Sequence, residues 1–123
     1  VIVAVTGTDF VTLQTRDIER ARAFYGDTLG LSEGKQWGDM PAFEFETGNL
    51  TIAVMDPSAF GQTFRPGGSN VVLQVDDFDT AKAELEAAGV EFITDKIESP
   101  VCHQAYFKDP DGNVLGIHRR FDA

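Results

Sequence analysis

The chain has 123 residues and a formal net charge of −10. That length allows one domain with a sizeable core, and the acidic balance argues against nucleic acid, whose binders carry a basic patch, and against anionic membrane surfaces. Cys102 is the sole cysteine, which excludes an intrachain disulfide, and no apolar run approaches the ~20 residues of a membrane span.

Residues 1 to 8 form an apolar lead-in, either an extra edge strand or an ordered arm. Its opening VIVAV is too short for a signal segment, so the expected location is the cytoplasm. Residues 10 to 15 alternate as a half-buried strand does. Asp17 is positioned to cap a helix with Ile18, Ala21, Tyr25 and Leu29 on one side, which Gly30 stops. Residues 31 to 41 read as a loop holding the only tryptophan, Trp37. AFEFE at 42–46 and LTIAVM at 50–55 make a hairpin around Thr47-Gly48-Asn49. The glycine- and proline-bearing stretch after Asp56 reads as a crossover.

The plan then repeats. FVTLQTRDIERARAFY at 10–25 aligns without a gap to NVVLQVDDFDTAKAEL at 70–85, with six identities in sixteen positions. Asp77 or Asp79 caps the second helix, whose buried side carries Phe78, Ala81, Leu85 and Ala88, and Gly89 ends it. VEFIT at 90–94 is a predicted strand. CHQAYFK and NVLGIHRR form the last hairpin around Asp109-Pro110-Asp111-Gly112, a sequence suited to a type I turn with a G1 bulge. Repetition of a supersecondary unit fixes the architecture. It predicts a single α+β domain: module one over about 9–56, a linker over about 57–69 and module two over about 70–120. Each module is a βαβββ unit, and the two form a curved, partly closed mixed sheet around a cavity, with helices on the outer face.

Alternation assigns the faces. Val11, Leu13, Phe43, Phe45, Leu50, Ile52, Val54, Val71, Leu73, Val75, Leu115 and Ile117 fall on the helix side. Phe10, Thr12, Gln14, Glu44, Thr51, Ala53, Met55, Asn70, Val72, Gln74, Gly116 and His118 fall on the other. If the last hairpin pairs Asp109 with Asn113 and Phe107 with Leu115, then Ala105 and Phe107 join the core. Cys102, Gln104 and Tyr106 then join Gly116 and His118. The same register sends His103 to the sheet rim beside Arg119; a one-residue slip would send it into the cavity. A face of glutamines, an asparagine, aromatics, a methionine, one histidine and one cysteine resembles a ligand pocket, mostly apolar with a few polar groups.

RDIERARAFYGDTLGL at 16–31, VDDFDTAKAELEAAGVEF at 75–92 and FKDPDGNVLGI at 107–117 resemble the vicinal oxygen chelate superfamily. That superfamily includes glyoxalase I, extradiol dioxygenases, fosfomycin-modifying enzymes and bleomycin-resistance proteins. The resemblance covers nearly the whole chain. It implies four metal-ligand positions, which match Phe10, Ala53, Asn70 and Gly116. Phe, Ala and Gly side chains have no donor atom and Asn is a weak one, whereas transition-metal sites need imidazole, thiolate or carboxylate. The expectation is therefore no metal and no cofactor.

The candidate ligand-binding residues are Phe10, Thr12, Gln14, Trp37, Glu44, Met55, Asn70, Gln74, Gln104, Tyr106 and His118. Trp37, Phe60 and Phe64 either stack on a planar ligand or cap the core. His118, Cys102 and Glu44 are the candidates for chemistry, as an acid–base group or a relocated metal site. Two functional readings follow. One is a metal-independent protein binding a small, partly apolar or aromatic, antibiotic-like molecule. The other is a glyoxalase- or dioxygenase-like lyase, isomerase or oxygenase with its site moved to His118, Cys102 and Glu44. A third possibility is an interaction module whose concave face another subunit closes. The resemblance implies a homodimer.

Overall fold

The computed structural model describes residues 4, 6, 8–68 and 70–121. The expected strand or arm over 1–8 therefore lies largely outside the described residues. Module one contains β1 (Val11–Gln14), α1 (Ile18–Arg22), β2 (Ser32–Gln36), β3 (Ala42–Glu46) and β4 (Thr51–Met55). Module two contains β5 (Val71–Gln74), α2 (Phe78–Ala87), β6 (Ile97–Glu98), β7 (Cys102–Lys108) and β8 (Val114–Arg120). Each module folds into its own four-stranded mixed sheet, ordered β1-β4-β3-β2 and β5-β8-β7-β6. The parallel pairs are β1 with β4 and β5 with β8. This is the α+β, twofold βαβββ architecture that the repeat implies.

Both helices start where an aspartate accepts from a backbone N–H: Asp17 from Arg20 at 3.1 Å and Asp77 from Thr80 at 3.1 Å. Asp77, not Asp79, is thus the cap, and this bond holds its carboxyl below the usual carboxylate range. The expected inward residues Ala21 and Tyr25 are buried on the first helix, and Phe78 and Leu85 on the second. Beyond Arg22 the first helix widens into a π-helical turn over Ala23–Thr28, closed by Leu29 N–H donating to the Phe24 carbonyl at 2.9 Å. The wider turn buries Phe24 beside Tyr25, a pair that a 3.6-residue period would split between inside and edge. Gly30, at φ +72°, then reverses the chain as only glycine does easily.

Three local expectations are corrected. Residues 31–41 are not all loop, because Ser32–Gln36 forms the edge strand β2 against β3. Its SEGKQ sequence is exposed throughout, so there was no apolar alternation to read, and Glu33 and Lys35 protect the edge. VEFIT is not a strand. Val90 is buried and Phe92 packs on the core, but among the described residues its ladder pairing is a single bridge, Phe92 to Phe107. The Ile93 and Thr94 N–H groups both donate to the Tyr106 carbonyl, at 2.8 and 3.4 Å, and Thr94 Oγ1 accepts from Tyr106 N–H. The threonine hydroxyl thus does the work of a strand carbonyl, and the true edge strand is the two-residue β6 farther on. Ala88, expected on the buried side, is exposed because it already sits in the helix C-cap.

The last hairpin adopts the expected register: Phe107 opposes Leu115, Ala105 opposes Ile117 and Gln104 opposes His118. Gly112 N–H donates to the Asp109 carbonyl at 3.1 Å with Gly112 at φ +90°, and Asp109 N–H donates to the Asn113 carbonyl at 2.8 Å. The turn also welds the modules together. Asp109 Oδ1 accepts from the Asp111 and Asn113 N–H groups at 2.9 and 2.8 Å, and Oδ2 from the Tyr25 hydroxyl and Asn113 Nδ2 at 2.8 and 2.7 Å. Asp111 accepts from the Thr15 hydroxyl at 2.6 Å, the Arg16 N–H at 2.9 Å and Arg20 Nη2 at 2.8 Å. Asn113 Nδ2 also donates to the Gln14 carbonyl, and its Oδ1 accepts from the linker's Gly67 N–H. Apolar contact follows the same seam: Tyr25 packs on Phe45 of module one, and Phe24 packs on Phe107 of module two.

Replacing Asp109 with alanine strands a buried hydroxyl, a buried amide and two backbone N–H groups, and is expected to cost about 3 kcal/mol or more in urea unfolding. Burial, then the neighbouring Asp109 carboxylate, push the Tyr25 hydroxyl far above its ordinary pKa. The folded value exceeds the unfolded one, so this contribution is complete below pH ~10 and is lost as pH rises past it. The expected alkaline slope is up to about 1.4 kcal/mol per pH unit. Tyr25→Phe should flatten it, measured as stability against pH from 8 to 11.

Candidate functional site

On module two, cross-strand register arranges the face away from the core in two rows. Gln74, His118, Gln104 and Ile97 lie side by side across β5, β8, β7 and β6. Val72, Gly116 and Tyr106 form the next row. A cleft of about 950 Å³ opens along Gln74, His118, Gln104, Val72 and Tyr106 of these rows, bordered also by Val71 and Leu73, by the Thr47–Leu50 turn of module one and by Leu31, Asp76, Arg119 and Arg120. Four of the expected binding residues, Gln74, Gln104, Tyr106 and His118, are thus together. His118 makes no side-chain hydrogen bond among the described residues. Tyr106 is fixed by its hydroxyl, which donates to Gln104 Oε1 at 2.6 Å. Asn70 stands exposed just before β5.

Module one presents a second group. Thr12, Ala53 and Glu44 oppose one another across β1, β4 and β3, and Gln14 opposes Met55. Glu44 Oε2 accepts from Trp37 Nε1–H at 2.9 Å. The Trp37 ring meets Phe10 at 5.1 Å and Phe60 at 6.3 Å between centroids, both edge to face. Phe10 remains 42% exposed. Phe64 is not part of this group, because Arg16 stacks over its ring at 4.0 Å. Gln14 Oε1 is taken by the linker, accepting from Arg65 N–H at 2.6 Å, and Met55 is buried.

The three residues considered for chemistry do not meet. Among the described residues no three His, Cys, Asp or Glu side chains stand close enough to hold one metal ion. Glu44 belongs to the first sheet. Cys102 opposes Arg120, its sulfur 3.4 Å from Ser99 Oγ. His103 sits at the rim as the register required: it opposes Arg119, packs between Phe78 and Phe121, and approaches Glu98 at 3.4 Å. Sequence reasoning missed that Ile97 ends the first row at the sheet edge, because the strand was expected over 90–94. It also missed the Thr47–Leu50 turn, whose place beside β5 depends on tertiary packing that no local pattern carries.

A metal would have to be held by Phe10, Ala53, Asn70 and Gly116, and these residues do not fit one. Three offer no side-chain donor, and the fourth is a carboxamide. Space is also lacking. A Cβ added at Gly116 would lie 2.8 Å from both Cδ1 and Cε1 of Tyr106, so the tyrosine ring occupies the room an acidic side chain would need there.

A family model described as the Glyoxalase/Bleomycin resistance protein/Dioxygenase superfamily matches residues 7–117. The chain belongs to that superfamily. Solved structures of the superfamily fold match along nearly the whole chain. A glyoxalase family protein from Bacillus anthracis is 26% identical with a TM-score of 0.80, covering 98% of this chain and 100% of its own. An antibiotic binding protein from a Streptomyces species is 26% identical with a TM-score of 0.78, over 98% and 100% of the two chains. A lactoylglutathione lyase from Agrobacterium tumefaciens is 20% identical with a TM-score of 0.75, over 94% and 95%, a likeness of fold alone. No curated protein matches the chain.

Calorimetric titration with Zn²⁺ or Ni²⁺ is expected to show no stoichiometric site at the superfamily's ligand positions. Gly116→Glu alone should not create one, since the new carboxylate must first displace Tyr106. Near-stoichiometric uptake by the unaltered chain, abolished in His118→Ala, would instead show that His118 anchors a metal.

Proposed function

We propose that this chain is a metal-independent small-molecule binding protein that holds a small, partly apolar or aromatic ligand against the face of module two that points away from the core. The observation that carries the reading is the polar row Gln74, His118 and Gln104 set beside Val72 and Tyr106 in the 950 Å³ cleft. Such a mixture of apolar side chains with amides, an imidazole and a phenol suits an organic molecule that is partly apolar and partly hydrogen-bonding. The superfamily's antibiotic binding protein from Streptomyces supports an antibiotic-like ligand. The net charge of −10 favours a ligand with a cationic portion. A cytoplasmic location accords with a chain whose only cysteine can form no internal disulfide.

The proposed assembly is a homodimer. β1 and β5 are edge strands of their sheets, each paired on one side only among the described residues. Open edges invite pairing with another chain. Joining β1 of one copy to β5 of another would bring the Glu44–Trp37 group and the His118 row to one cavity.

An enzymatic reading has one observation in its favour: His118 borders the cleft with no side-chain hydrogen bond among the described residues, as a general base would need. The two readings separate in one experiment. Compounds are screened by thermal shift, where a ligand at 100 times its Kd adds about 2.7 kcal/mol of stability, and each hit is recovered and analysed. Unchanged hits, weakened about three- to tenfold by Gln74→Ala or Gln104→Ala, support binding. Conversion of a hit that stops in His118→Ala supports catalysis. Light scattering on the purified chain is expected to give twice the 13.4 kDa monomer mass; a monomer would rule out the shared cavity.

A further inference from the structure

Tyr106 and Gly116 oppose each other directly on β7 and β8. Glycine there leaves the strand without a side chain on the cleft face, and the tyrosine ring lies in the vacant room, so close that even a methyl group would collide with it. A ring backed by a glycine is a known way to fill a gap in a sheet surface. Here the ring is also tethered. Its hydroxyl donates to Gln104 Oε1 at 2.6 Å, so it cannot swing out without breaking that bond. One side of the ring rests on the backbone, and the ring also borders the cleft. Val72 flanks the same row on β5 and is 44% exposed.

Building on the small-molecule reading above, we propose that Tyr106 is a stacking plate, and that the cleft selects flat, unsaturated ring systems bearing a hydrogen-bond acceptor beside the ring. Flatness is favoured because a rigid, backed aromatic surface matches a planar partner over its whole area, whereas a puckered one touches it at a few atoms. The acceptor follows from Gln104. Tyr106 occupies its oxygen, so its amide Nε2–H₂ remains to donate, next to the His118 ring across the ladder. The plate lies over Gly116, one of the four positions that the superfamily resemblance matches to metal ligands, so aromatic contact replaces ion coordination at one place in the fold.

The test uses the full chain, isothermal calorimetry, and two alcohols with one carbon skeleton: 2-naphthol, which is flat, and decahydro-2-naphthol, which is saturated. The expected result is that 2-naphthol binds about three- to tenfold more tightly. Tyr106→Leu should erase that difference. Tyr106→Phe should keep part of it, since the plate remains but its tether is gone. Gly116→Ala should lower it by pushing the ring off the strand, with circular dichroism as the folding control; should that variant not fold, the leucine variant decides. Equal affinities for the two alcohols, or a preference that survives Tyr106→Leu, overturn the stacking plate and leave the small-molecule reading standing. If neither alcohol binds and the thermal-shift screen is also silent, both fall.

Discussion

The buried carboxylate of Asp109 is the constraint on which the arrangement of this molecule depends. It lies in a turn, where a solvated side chain would be ordinary, yet it is desolvated and takes hydrogen bonds from its own turn and from Tyr25 of the other module. Burying such a group is unfavourable unless its lone pairs are filled. Three of the bonds come from the turn itself, and the fourth forms only when the last hairpin docks against Tyr25 in the π-helical turn of module one. Asp111 and Asn113 repeat the device toward Thr15, Arg16, Arg20, the Gln14 carbonyl and the linker. The modules are therefore held in register by directional bonds as well as by apolar contact, and among the described residues no buried side-chain polar atom is left without a partner.

That docking decides where function can sit. One face of each sheet is committed to the shared core, in which Phe24 and Tyr25 bridge Phe45 and Phe107. The opposite faces are left to meet other molecules. Because side chains alternate, the register that buries Ala105, Phe107, Leu115 and Ile117 also delivers Gln104, Tyr106, Gly116 and His118 to the cleft. Core and site on these strands are two consequences of one pairing.

Much of this was legible because it is periodic. The ungapped repeat over 10–25 and 70–85 announced two like modules, and strand alternation placed Leu13, Phe45, Ile52, Leu115 and Ile117 in the core and Gln74, Gln104, Tyr106 and His118 on the other face, although Leu50, Val71 and Leu73 also border the cleft and Ala53 and Met55 are buried. The His103 question was answerable from register alone. What escaped is what lacks a period. β2 is polar on both faces. Thr94 mimics a backbone acceptor with its side chain, so a well-alternating VEFIT pairs at a single residue. The π-helical turn is what lets Phe24 and Tyr25 both enter the core, and no helical-wheel reading provides it. Asp109 and Asp111 read correctly as turn formers and Asn113 as the residue that opens the last strand, but turn chemistry alone did not disclose that the same side chains join the modules. The candidate site was legible in its module-two wall and illegible in its outer boundary, since the Thr47–Leu50 turn reaches it only through tertiary packing.

Gly116 and Tyr106 carry the argument from sequence to chemistry furthest. Taken alone, a glycine at a superfamily ligand position says only that a donor is missing, a gap that one substitution would refill. The opposing tyrosine changes what that substitution meets. Its ring is admitted by the glycine, tethered to Gln104 and packed so closely that any side chain at position 116 must first move it. Phe10 and Ala53 reinforce the point, one as part of an aromatic group with Trp37 and the other as a fully buried methyl. Three ligand positions have thus become part of a packed or stacked surface, and regaining coordination at them means unpacking that surface. The sheet that elsewhere in the superfamily presents donors to an ion presents rings and amides here.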